Sequence, residues 1–355
     1  MINPYHALPD SAYWRRSVGA VPGHAVDPVT TVPFMIAPSD RVATAGSCFA
    51  QHIARELTSH GFDLMIEEGD PSDPADAPAW RAFSAAFGNI YTARQLMQLF
   101  DRAYGTFTPQ DSAWRRADGR WIDPFRPLIC GAGFATAEAV EHARRGHFEA
   151  VRRMFDTCDV LIFTLGLTET WRSTVDGAVF PIAPRVEGEG DGAYGFHNAG
   201  VDEIVGDMRR FLRLLRTVNP AVRVILTVSP VPLIATYAPR HVLVSTIASK
   251  SILRAAADTI CAGSGDIAYF PSYEIITGPQ ARGGYFGADL RSIEPEGVAQ
   301  VMAVFARHFL GGEGAARRAD MPGPSVAEVG AALETMQQAG AVICDEEVLD
   351  RIRRP

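Results

Sequence analysis

The chain has no apolar run approaching the roughly 18 continuous residues of a membrane span, no internal repeat and no close pair of cysteines. Its five cysteines, Cys48, Cys130, Cys158, Cys261 and Cys344, are odd in number and widely scattered. That spacing excludes a disulfide framework and a C-x-x-C metal or redox motif, and it implies a reducing compartment. The first 22 residues are interrupted by Pro4, Pro9 and the pair Arg15-Arg16, so they lack the apolar core of a secretory signal and a cytoplasmic address is expected. Positive charge is also in short supply. Lys and Arg number 33 against 41 Asp and Glu, a formal net charge of -8. A nucleic-acid partner is disfavoured, because phosphate binders concentrate basic residues on one face. The pairs Arg144-Arg145 and Arg209-Arg210 read as solvated helix faces.

What is present is globular: 47% of the 355 residues are hydrophobic and 21% charged, enough for a sizeable core. Five short runs, 42–45, 62–66, 160–165, 222–228 and 267–270, are apolar on both faces and end in turn residues, the pattern of buried parallel strands. Helices are predicted at 49–60, with Gly61 past its end, and at 201–218 and 295–310. This predicts an α/β fold around a five-stranded parallel sheet. Residues 67–157 exceed the needs of a crossover and read as a helical insertion, with helices at 92–104 and 137–155, that packs over the site as a candidate lid or extends the domain edge. Residues 170–200 form a second excursion rich in Gly and Pro. The domain runs over 1–310, and 311–355 is a C-terminal extension with helices expected at 325–338 and 346–353.

In an open parallel sheet, chemistry gathers beyond the carboxyl ends of the strands. After the first strand stands Gly46-Ser47-Cys48, a small turn residue, a hydroxyl and a thiol at a helix start, where N–H groups and the helix dipole favour an anion. The plain alternative is a helix-capping serine followed by a buried cysteine. Thr168 and Glu169 follow the third strand, either as site residues or as a turn cap. Ser229-Pro230-Val231-Pro232 follows the fourth, with His241 beyond a rigid proline loop. Ser249-Lys250-Ser251 is read as a helix start. Tyr285, Asp289, Arg291 and Ser292 come after the fifth strand. Nucleophilic catalysis also needs a base. His241 and His197 lie in loops at the expected end of the sheet. His52 and His60 fall on the first helix, and His142, His147 and His308 read as helix-surface residues.

Gly46-Ser47-Cys48-Phe49-Ala50, with the segments 88–92, 164–171, 227–233, 249–251 and 269–274, resembles the GSCFA-domain family, itself similar to a divergent branch of the SGNH or GDSL-like hydrolases. The resemblance implies a flavodoxin-like three-layer α/β/α fold and places Cys48 at the nucleophile position, with Ser47 as the other candidate. It puts Gly166 and Thr168 over the Gly-x-Asn-Asp block, Thr168 replacing the oxyanion-donating amide, and Gly88 or Asn89 over the glycine block. Gly46, Glu169, Ser229 and Arg291 complete the oxyanion and substrate-binding candidates. Where that superfamily carries Asp-x-x-His, this chain has Asp289-Leu290-Arg291-Ser292, so the usual base is missing and His241, then His197, are the substitutes.

The resulting expectation is an acyltransferase or an ester or thioester hydrolase acting on a sugar or surface-polysaccharide precursor. No metal or cofactor is required, and acyl-CoA is a candidate co-substrate. The rival reading is a catalytically silent module that binds a glycan or nucleotide-sugar in the same pocket.

Overall fold

The computed structural model describes residues 3–69, 83–190 and 192–310. Its centre is a five-stranded parallel sheet in the order β2-β1-β5-β9-β10, built from β1 (Arg41–Gly46), β2 (Asp63–Leu64), β5 (Val160–Leu165), β9 (Arg223–Val228) and β10 (Ile267–Phe270). Every residue of β5 is buried, as a central strand covered on both faces requires. Alternation divides the sheet between two cores. Ala43, Ala45, Leu161, Phe163, Leu165, Val224 and Leu226 meet helices α2 (Ala93–Ala103), α3 (Ala137–Thr157), α4 (Val201–Val218) and α5 (Val242–Cys261). Val42, Val160, Ile162 and Ile225 meet α1 (Ala50–Ser59), α6 (Ser272–Thr277) and α7 (Pro295–Phe309).

This strand order is the flavodoxin-like one. The chain leaves β1 outward to β2 and returns to the other side of β1 as β5, so the direction of winding reverses between β1 and β5. That reversal opens a crevice at their carboxyl ends. Among the described residues no helix is long and apolar enough to cross a membrane.

Residues 67–157 are less separate than the sequence implies. Leu96, Leu99 and Phe100 of α2 belong to the same core as β5, and Phe100 packs edge-on to Phe211 of α4 with ring centroids 6.2 Å apart. A reciprocal capping box between Thr92 and Gln95 starts α2. The same segment holds a small hairpin, β3 (Trp114–Arg115) with β4 (Trp121–Ile122). The excursion at 170–200 forms an antiparallel sheet that the sequence does not announce: β6 (Glu169–Ser173) lies between β7 (Val179–Phe180) and β8 (Tyr194–Asn198). Trp114 and Phe125 close on Phe180, at 4.8 and 5.3 Å, and join this sheet to the hairpin segment. A second correction concerns Ser249-Lys250-Ser251, which lies inside α5 rather than at its start. The extension at 311–355, with both of its expected helices, lies outside the described residues.

Candidate active site

Gly46 ends β1 at φ 137°, and a Cβ there would stand 2.5 Å from the carbonyl oxygen of Thr164, so only glycine fits this approach to β5. The Ser47 N–H donates to that same carbonyl at 3.2 Å, and α1 begins three residues later with Phe49 as N-cap and no side-chain cap. The N–H groups of Ala50, Gln51 and His52 donate to the carbonyls of Ser47, Cys48 and Phe49 at 2.9, 3.2 and 3.1 Å. Oxyanion donors from this turn must therefore come from before Ala50. Ser47 and Cys48 are 3% and 6% exposed, and the Ser47 hydroxyl is buried without a hydrogen-bond partner.

Two further blocks close on the turn. A Cβ on Gly166, past the end of β5, would lie 2.9 Å from the Ser47 Cβ and 3.2 Å from the Tyr91 carbonyl. The Ile90 N–H donates to Gly46 O at 2.8 Å, while Gly166 and Leu167 donate to Tyr91 O at 2.9 and 3.0 Å. Main-chain hydrogen bonds thus tie Gly46 to Ile90, Ser47 to Thr164, and Gly166 and Leu167 to Tyr91 around the switch point. Thr168 is 1% exposed, and both its N–H and its hydroxyl donate to Ser249 Oγ of α5, each at 3.1 Å. Its donors are therefore directed at α5.

The remaining candidates do structural work. Glu169 accepts from the Thr236 hydroxyl at 2.6 Å and the Tyr237 N–H at 3.3 Å, which anchors the proline loop. Ser229 Oγ accepts from the Val231 N–H within that loop. Arg291 Nε donates to Pro232 O at 3.2 Å and joins the last loop to the same place. Asp289 accepts from the N–H groups of Arg291 and Ser292 and from the Ser292 hydroxyl, which hold its carboxyl down at about 2. It shapes its own turn and serves no histidine. His241 caps α5, its Nδ1 accepting from the Leu243 N–H at 3.1 Å. His197 is not in a loop: it pairs with Thr170 in β8, and its Nε2 lies 2.7 Å from Glu203.

The histidine nearest Cys48 in sequence is His52, one helical turn on. Its ring centroid is 5.4 Å from that of Phe49, and its Nδ1 is buried with no hydrogen-bond partner. Burial, then the charge of Arg55, pulls His52 down to about 4, so it is neutral near pH 7. Its place on the first helix hid it, while Cys48 itself lies in the turn before that helix's N-cap, Phe49. His147 departs from expectation in the other direction, since it is buried at 3% exposure.

The GSCFA family model matches residues 41–305, which takes in the turn, both facing blocks and α7 up to Phe305. The chain belongs to the GSCFA family. No curated protein matches it. Among solved structures, a carbohydrate esterase family 3 protein from Talaromyces cellulolyticus is 12% identical, covers 75% of this chain and 94% of its own, and superposes with a TM-score of 0.35. That likeness is too remote to bear on the site.

Within this GSCFA domain one residue of the segment 249–251 stands out, read from the sequence as part of a motif and a helix start but given no role. Lys250 is the chain's single lysine among 33 basic residues. It is 1% exposed, and its Nζ donates to Gly166 O at 2.7 Å. A chain that uses arginine everywhere else places its one ammonium against the loop that packs on Ser47. That solitary occurrence was the legible signal.

Proposed function

We propose that this GSCFA protein is an esterase-type acyl-transfer enzyme with Cys48 as nucleophile and His52 as proton acceptor. The carrying observation is the turn itself: a thiol and a hydroxyl at the β1–β5 switch point, walled by Gly166 and the Gly88–Tyr91 block. In the proposed reaction the Cys48 sulfur bonds to the carbonyl carbon of an ester or thioester while its proton passes to the neutral His52 imidazole. The bond to the leaving oxygen or sulfur breaks, and the imidazole returns the proton to that atom. Water or an acceptor hydroxyl then attacks the thioester and restores the thiol. An acylated sugar or surface-polysaccharide precursor is the substrate class, and acyl-CoA is the donor where the acyl group moves onto the sugar. A cytoplasmic address would place the enzyme beside such donors.

The test is turnover of a panel of p-nitrophenyl esters and acyl-CoA compounds by the wild type, Cys48→Ala, Ser47→Ala and His52→Ala. Loss of at least about 10²-fold is expected for Cys48→Ala and His52→Ala, and a smaller loss for Ser47→Ala. The acid limb of kcat/KM should fall near the depressed value of about 4 rather than the ordinary imidazole value of 6.5. Full turnover by Cys48→Ala removes the mechanism. No turnover of any ester, with a Cys48 that alkylates at an ordinary rate, would favour a binding module instead.

A further inference from the structure

Beside the reaction centre, the segment after β4 meets α2 and α3 around a buried ionic cluster. Arg126, its side chain 2% exposed, donates from Nη1 to Glu68 and from Nε to Asp123, at 3.1 and 3.2 Å. Arg144 approaches the same Asp123 at 3.0 Å. His147 Nδ1 lies 2.5 Å from Glu68. Arg102 comes from α2 with its guanidinium 3.9 Å from the centre of the Phe125 ring, and its Nε donates to a main-chain carbonyl, Gln98 O.

The charges among these described residues do not cancel. Arg102, Arg126 and Arg144 contribute three positive charges, and Glu68 and Asp123 two negative ones. His147 is neutral near pH 7, because burial and Arg126 pull it down to about 4. Within this set one positive charge is left over, shared by guanidiniums that run from fully buried (Arg126) to partly exposed (Arg102 and Arg144). An uncompensated buried charge is costly, so such clusters are ordinarily balanced. The excess also has an address: Nη2 of Arg126 is buried with no hydrogen-bond partner. Burial, with Arg144 and Arg126 adding to it, pulls Arg102 down to about 9, which still leaves it protonated near neutrality.

Arg102, Arg126, Asp123, His147, Phe125 and Asn89 line a cavity here that offers about 20 Å³ to the centres of water-sized groups. That exceeds the roughly 10–15 Å³ that one water requires and leaves space for a small polar group. The residue after Asn89, Ile90, donates its N–H to Gly46 O, so the cavity shares a wall with the nucleophile turn.

We infer that this cavity is an anion site for a single carboxylate, received by Arg126 Nη2 and Arg102 and fitting both the one excess charge and the small space. The carboxylate is either an acid group of the substrate, whose ester would then reach the turn past Asn89, or a free small acid. Only the first source rests on the proposed acyl-transfer chemistry.

Sodium acetate is the probe, titrated into the whole protein against sodium chloride at constant ionic strength while thermal stability is followed. The wild type should show a rise in Tm that reaches about 2 °C beyond the chloride control and grows with the logarithm of acetate concentration above its Kd. Arg126→Gln and Arg102→Gln should both lose it. If Arg126→Gln does not fold, the partly exposed Arg102→Gln decides. No rise in Tm with acetate beyond the chloride control in the wild type, or an undiminished one in Arg102→Gln, overturns the site. In a parallel assay with a neutral p-nitrophenyl ester, competitive inhibition by acetate that Arg102→Gln abolishes assigns the carboxylate to the substrate. Unchanged turnover assigns it to a free acid, and the stability readout stands even if no ester is turned over.

Discussion

A lysine taken out of water keeps its charge only where the surroundings supply acceptors for its three N–H bonds, and a main-chain carbonyl held by a rigid turn is one such acceptor. Lys250 has this in Gly166 O, at 2.7 Å. Its neighbour Ser249 accepts from both donors of Thr168, so two consecutive residues of α5 fix the strand of loop that packs on Ser47. The predicted role is positioning. Lys250→Met should cost about 1–3 kcal/mol of stability by leaving the Gly166 carbonyl short of a buried donor. It should also lower kcat on whichever ester the wild type turns over, with a smaller change in KM. Lys250→Arg should not restore kcat, because a planar guanidinium cannot take the place of a compact ammonium in a buried slot. Urea denaturation and steady-state kinetics on both variants check this. Wild-type kcat in Lys250→Met would remove Lys250 from the site's machinery.

Helix α5 shows at the scale of an element why some of this was legible and some was not. Where strands are apolar on both faces or a helix is plainly amphipathic, sequence and structure agree: β5, β10 and α4 fall where the pattern puts them. In α5 the pattern is inverted. Its buried positions include Ser245, Ser249 and Lys250, while Leu243, Val244 and Ile247 are more than half exposed. A periodicity reading assumes the opposite polarity and so places the helix start at the polar Ser249. The true start is His241, which the same reading took for a base. The nucleophile turn was legible because Gly46 and its neighbours are contiguous. The engagement of Thr168 was not, because its partner Ser249 lies 81 residues away. The strands β6 to β8 were hidden by Gly and Pro, whose pairing is set by contacts between segments rather than by propensity. His241→Ala should cost about 0.5–2 kcal/mol, the ordinary loss for an N-cap. It should leave turnover within about twofold, since no proton transfer is assigned to it. A loss of turnover comparable to that of His52→Ala would return His241 to the role of base.

For the whole molecule, half-buried His52 and buried His147 make stability depend on pH in a direction that can be worked out. His52 and His147 are each pulled from 6.5 to about 4 in the folded chain, chiefly by burial, so folding excludes a proton from each that the unfolded chain binds. Below about 6.5 the unfolded state therefore holds up to two more protons, and stability falls as the pH is lowered toward 4. The slope at its steepest is at most about 2.7 kcal/mol per pH unit, two protons' worth. Carboxylates add to the loss only lower down. Glu68, despite its burial, is held at about 2 by His147 and Arg126, and Asp123 lies lower still through Arg144 and Arg126, so both contributions are present above the ordinary carboxylate range and disappear below it. Urea midpoints between pH 7 and 4.5 should thus decline before Glu68 and Asp123 take up protons in the folded chain. In His52→Gln or His147→Gln the slope between 6.5 and 5 should halve, and in the double variant it should nearly vanish. The two sites lie on opposite sides of the sheet, His52 on α1 and His147 on α3, so their contributions should add. A flat stability profile from 6.5 to 5 in the wild type would mean that neither imidazole is neutral in the folded protein. That result would remove both the proton acceptor assigned to Cys48 and the charge count on which the anion site rests.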